Sequence, residues 1–194
     1  MFVKDFEKSF GDLDVVPVEP SLTVGGGSAT GGLPSDLHLW DPGLGLAAFL
    51  VTVDRGRLSG HDRVTLVRAR SRLISHLTAG LYADIASVAE AMTDEFGDDP
   101  EMAQESATLE LRAALRLTRR SADIEIGFAQ DLVGRLPRVA VEMLAGRVDL
   151  RRARVLVDET MHLTESQARL VVDEVMDRAP EPIRVRVSRL ATFL

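Results

Sequence analysis

Apolar residues recur along most of this chain at the spacing of a helix. The clearest run is Leu66, Leu73, Leu77, Leu81, Ile85, Val88 and Met92. Its steps of seven, four and three predict one stripe on a long helix from about residue 60 to 93. Ser59 is placed to cap that helix, with Asp62 as its first-turn carboxylate. Before it, "GLGLAAFLVTV" (43–53) is almost wholly apolar and predicts a short buried helix. After the acidic patch "DEFGDDPE" (94–101), shorter helices are predicted over about 102–116, 119–135, 138–145, 150–160 and 165–178. Pro137 suits a first turn, Gly146 a C-terminal cap, and Thr164 with Gln167 a capping box. Pro180 and Pro182 end the series. "IRVRVSRL" (183–190) alternates like a strand, but it follows two prolines and is read as a frayed end or short helix. The expectation is an all-α fold: a compact multi-helix domain with a helix-turn-helix-like unit and a flexible N-terminal tail.

The tail is read from "VEPSLTVGGGSATGGLPSD" (18–36), which has linker composition and no periodicity. It lacks the Gly-Lys-Ser/Thr ending of a phosphate-binding loop. The chain therefore divides into a flexible segment 1–42, a helical domain 43–180 and a tail 181–194. Composition agrees with packed helices, since 45% of residues are hydrophobic but only 5% aromatic. The absence of cysteine excludes disulfides, thiolate metal sites and a Cys nucleophile. The charged start "MFVKDFEKSF" shows no secretory signal, and no apolar window is long enough for a membrane span. A cytoplasmic protein with no membrane partner is expected.

Charge changes the picture more. The net charge is −7, yet residues 112–154 hold ten arginines against five acids. A second basic run, Arg55 to Arg72, has six arginines and only Asp62 against them. A local basic face is what meets phosphate, whatever the total charge. The first cluster sits on "ALRLTRRSADIEIGFAQDL" (114–132), where two amphipathic segments meet. A helix-turn-helix needs a small residue where its helices cross, and Ala113 and Ala114 are candidates. Leu111, Leu115 and Leu117 would face inward on the first helix, and Ala122, Ile126 and Ala129 or Leu132 on the second. Thr118 can cap the second helix. Arg119, Arg120, Ser121 and Asp123 then lie outward at its start, the part of a recognition helix that reaches base edges. Asp123, Glu125 and Asp131 would oppose phosphate there. Arg135, Arg138, Arg147, Arg151, Arg152 and Arg154 are candidates to flank a duplex. The competing reading is two core helices with a solvated corner.

No catalytic constellation emerges. The acids at 94–101 are adjacent pairs, with the glycine before the second pair, unlike a calcium loop. His38, His61, His76 and His162 are scattered, and His162 suits a helix end where it can meet carbonyls. Ser59, His61 and Asp62 are neighbours on one helix start and cannot form a Ser-His-Asp relay. No cofactor, metal or small-molecule substrate is expected.

"RLP" (135–137), "LAGRVDLRRARV" (144–155) and "HLTESQA" (162–168) carry a family resemblance. With the flanking sequence, they resemble the actinobacterial domain of unknown function numbered 222, which includes the mycobacterial 13E12 repeat proteins, over roughly residues 45–180. The resemblance implies an all-helical domain that commonly precedes an HNH endonuclease module. That module, with its His base, His metal ligand and Asn, is not found in this chain, so no enzyme is expected. The residues after Pro180 depart from the family's usual continuation. A fainter similarity joins Thr118 to Ser121, Leu136-Pro137, Gly146 and Ala153-Arg154 to the helix-turn-helix region of ParB-type partition proteins.

The favoured expectation is a nucleic-acid-binding helical module, truncated before the nuclease module, with duplex DNA as partner through Arg119, Arg120, Ser121, Arg151 and Arg152. The alternatives are a protein-interaction domain that forms a homodimer or takes a helical partner, and a folded remnant of a mobile-element gene.

Overall fold

The computed structural model describes residues 32–177. Among them lie seven α-helices and no strand. We number the helices α1 (Leu44–Thr52), α2 (Gly60–Phe96), α3 (Pro100–Leu115), α4 (Arg119–Gln130), α5 (Pro137–Leu144), α6 (Leu150–Thr160) and α7 (Glu165–Asp177). The all-helical expectation holds, and the helix boundaries fall close to those read from periodicity. The 183–190 stretch lies outside the described residues. Two compact units divide between Leu73 and Ile74, within α2.

The first unit buries Leu37, Leu46, Leu50, Leu58, Leu66 and Ala69 together, with Trp40 and Phe49 packed against them. The Trp40 and Phe49 rings sit 5.1 Å apart in a tilted pair. Leu37 belongs to a 3-10 turn (Leu37–Leu39) and is fully buried. Ordered packing thus reaches further toward the N-terminus than the Gly/Pro composition implied. The reason is the apolar set Leu33, Leu37 and Trp40, spaced by four and three within that polar background. Helix α1 forms as expected, but it is half-exposed rather than buried all round. Leu46 and Leu50 face the core, while Leu44 and Val51 face solvent.

The start of α2 is a reciprocal cap. The Asp62 amide donates to the Ser59 hydroxyl, and the Ser59 amide and hydroxyl donate to the Asp62 carboxylate. The Ser59 hydroxyl bond holds the Asp62 carboxyl below its ordinary value. Farther along, the buried face of α2 differs from the leucine stripe. Ala79, Tyr82, Ile85, Ala86 and Ala89 are buried, while Leu77 and Leu81 are exposed. Small residues let other helices approach α2 closely, so alanine rather than leucine marks its inner side.

In the second unit, α3 packs on α4, and α5, α6 and α7 pack on one another. A π-turn over Asp131–Arg135 ends α4 and touches α5, α6 and α7. The caps are those expected. Pro137 opens α5. Gly146, at φ +70°, closes it, with the Arg147 amide bonded to the Glu142 carbonyl and the Gly146 amide to that of Met143. Thr164 and Gln167 form a reciprocal box before α7. His162 is exposed. The side chain that meets carbonyls at the end of α6 is Arg135, which donates to Thr160 O and, at 3.0 Å, to Leu163 O.

Candidate nucleic-acid interface

Helices α3 and α4 are joined by Arg116, Leu117 and Thr118. Arg116 takes the left-handed conformation (φ 55°, ψ 41°). It is the one described non-glycine residue with positive φ, in a place where glycine is the usual occupant. The bond from the Leu117 amide to the Arg112 carbonyl (3.2 Å) closes the end of α3. Thr118 then caps α4, accepting from the Ser121 amide at 3.2 Å. The Ser121 hydroxyl is 2.9 Å from that of Thr118, so it serves the cap.

The inward residues are as anticipated: Ala122, Ile126 and Ala129 of α4, and Leu132 of the π-turn that follows it, are all at 0% exposure. The first helix differs. Ala113 and Ala114 face solvent, and Leu115 is 40% exposed. The small buried residues of α3 are Ala103 and Ala107, about two and a half to three and a half turns back from the corner. Thr108 is also buried, and its hydroxyl donates to Asp123 at 2.7 Å. This bond ties the two helices together and engages one of the acids expected to oppose phosphate.

Glu125, a second such acid, is also engaged. It accepts Tyr82 Oη (2.6 Å) and both its oxygens accept Arg154 Nη2 (2.8 Å). Arg154 Nη2 also lies 2.9 Å from Tyr82 Oη, and its guanidinium stacks 4.6 Å over the Phe128 ring. Tyr82 meets Phe128 edge-on at 4.8 Å. Burial, and then the bond to Glu125, push the Tyr82 phenol up to about 12.

The arginines of 135–154 divide sharply. Arg135 caps carbonyls. Arg138 pairs with Asp177 (2.6 Å) and Asp173 (3.0 Å), which together raise its pKa further. Arg147 pairs with Glu142 at 2.5 Å, and that bond raises its pKa too. Arg154 is held by Glu125. All four are engaged within the fold, although the Arg147 side chain stays 61% exposed in its pair. Each bonds a carbonyl or carboxylate brought near by the fold.

The remaining arginines are exposed. Arg120 and Arg151 make no side-chain hydrogen bond or ion pair among the described residues. Arg119 lies 3.3 Å from Glu105, both side chains about two-thirds exposed (65% and 63%). Such a pair contributes little and exchanges readily with solvent. Arg152 is 3.7 Å from Asp149, whose main task is to cap α6 through the Arg152 amide (2.9 Å). The second turns of α4 and α6 are linked by the Glu125–Arg154 pair. Arg119 and Arg120 lie about 8 Å of helix rise before Glu125, and Arg151 and Arg152 about 4 Å before Arg154. Arg112 and Arg116, exposed and likewise without side-chain partners among the described residues, are the members that sequence reasoning missed. A left-handed arginine leaves no signal in composition or periodicity.

The other basic run is largely engaged within the first unit. Arg63 donates to Leu58 O, Arg70 to Leu50 O, and Arg72 to His38 O and Trp40 O, while Arg57 pairs with Asp54. Among the described residues no three His, Asp or Glu side chains form a metal-holding group, and no helix is long and apolar enough to cross a membrane. In the acidic patch, Asp99 caps α3 by accepting the Met102 amide at 3.0 Å.

These features define an all-helical domain that carries an exposed arginine corner. The chain belongs to the family described as "Domain of unknown function (DUF222)", which matches residues 65–193. The match starts later than the resemblance read from the sequence and runs further, taking in residues 181–193. No curated protein and no solved structure matches the chain.

Proposed function

We propose that the corner between α3 and α4, with the first turn of α6, is a nucleic-acid-binding surface whose ligand is duplex DNA. The observation that carries this reading is selective pairing. Carboxylates or carbonyls engage the arginines farther along the second unit, while Arg112, Arg116, Arg120 and Arg151 have no such partner. Guanidinium groups left in water are matched to phosphate oxygens. Thr118 and Ser121 hold the first turn of α4, which would present Arg119 and Arg120 in a groove. Pairing with Arg154 offsets the charge of Glu125 and so lessens part of the repulsion that the sequence suggested, while Asp123, bonded by a neutral hydroxyl, keeps its charge. The proposed role is binding rather than catalysis.

The test is duplex binding by the full chain across a salt series. Binding should weaken steeply as salt rises, with a slope of about 0.9 per phosphate contact. Binding no tighter than that of an equally acidic control protein defeats the proposal.

A second reading, self-association, has its own observation. Ile74, Leu77 and Leu81 leave an exposed apolar strip on α2. It anticipates a dimer in sedimentation, unaffected by DNA.

A further inference from the structure

In the first unit, Arg55, Gly56, Arg63, Leu66, Val67 and Arg70 line a shallow groove of about 450 Å³. Its floor is apolar: Leu66 is buried at its base and Val67 stands 66% exposed. Its rim is cationic. Arg63 is held through Nε by Leu58 O (3.3 Å) and Arg70 through Nη2 by Leu50 O (2.9 Å). Bonds to neutral carbonyls fix these side chains in place but leave their charge uncompensated. Arg55 makes no side-chain bond or ion pair among the described residues. No acid lines the groove, and nearby Asp54 is engaged by the Gly56 amide and by Arg57. An apolar floor under three cations selects an acidic segment with apolar side chains, since both features are then matched at once.

The chain itself contains such a segment. Residues 5–19, "DFEKSFGDLDVVPVE", carry five acids against Lys8 alone, together with Phe6, Phe10, Leu13 and three valines. The described chain also begins near the groove. A Cβ on Gly32 would lie 3.9 Å from the Asp62 carboxylate, and the Leu33 backbone bonds the same group. Asp62 immediately precedes Arg63 of the rim. Residues 20–31 can span up to about 40 Å, so reach does not limit the contact. We propose that this groove docks residues 5–19 of the same chain, with acids against Arg55, Arg63 and Arg70 and apolar side chains on Leu66 and Val67.

The chain has no cysteine, so introduced pairs report cleanly. In the full chain, Leu13→Cys with Val67→Cys should cross-link within one molecule through a short bismaleimide. The yield should be about fivefold above that of Leu13→Cys with Leu44→Cys, an exposed position outside the groove, because docking raises the effective concentration. Salt at about 1 M should remove most of that excess. So should Arg55→Glu with Arg63→Glu. The segment-side pair Asp12→Asn and Asp14→Asn should act likewise, and it keeps the test decisive if the groove variant misfolds. Equal yields at Val67 and Leu44, or an excess indifferent to salt and charge, overturns the proposal. Cross-links between molecules that rise with concentration also overturn it, and would assign the groove to a second copy.

Discussion

Two sets of arginines in the second unit show what a charge can be for. Around α5 to α7, Arg138, Arg147 and Arg154 each face a carboxylate at 3.0 Å or less, and Arg135 and Arg169 bind backbone carbonyls. At the α3–α4 corner and the first turn of α6, Arg112, Arg116, Arg120 and Arg151 face water. In the first set Arg135, Arg138, Arg154 and Arg169 join separate elements, while Arg147 pairs locally with Glu142 past the end of α5. The second contributes little to the fold and is what a polyanion would meet. Residue type is the same in both, and surroundings separate them.

The sharpest way to break this contrast is Arg154→Ala. It leaves Glu125 and Tyr82 without their cation and removes the stacking on Phe128. We expect a loss of about 2 kcal/mol, below the range for a fully buried pair because these side chains keep 34% and 25% of their exposure. Thermal unfolding checks this, and a loss under about 0.5 kcal/mol would place Arg154 with the open set. DNA affinity of the folded variant should fall only slightly, through the Glu125 charge left uncompensated.

The same cluster gives a pH test. Tyr82 is the sole tyrosine, so ultraviolet titration reads it alone. Its midpoint should fall at about 12 instead of 10. The folded value lies above the unfolded one. Stability is therefore complete below pH 10 and is lost as pH rises toward 12, by about 2–3 kcal/mol in all. A midpoint near 10 would mean the phenol is not enclosed as described.

Arg119→Ala with Arg120→Ala sharpens the other side. Duplex affinity in low salt should fall about tenfold and the salt slope by about 2, while stability moves by less than about 0.5 kcal/mol. A drop in stability with unchanged binding would reverse the assignment. The smallest effect is expected from Arg116→Gly. Relief of the left-handed strain should raise stability by about 1 kcal/mol, while binding weakens slightly with the lost charge. Melting and titration of one sample check both signs.

The helices and their ends follow from residues that are close neighbours along the chain. Ser59, Thr118, Pro137, Gly146 and Thr164 act through atoms one turn away at most, so spacing along the chain suffices to place them. The inner face of α4 was legible for the same reason, because its period is local. Only tertiary structure decided that α2 turns its alanines inward and leaves Leu77 and Leu81 outside, since that choice depends on what packs against it. Tertiary structure also sorted the arginines. Arg138 meets Asp173 and Asp177, 35 and 39 residues away, and Arg154 meets Glu125, 29 away. A guanidinium's net field depends on partners that folding brings within hydrogen-bond reach, and nothing in a local window records that distance.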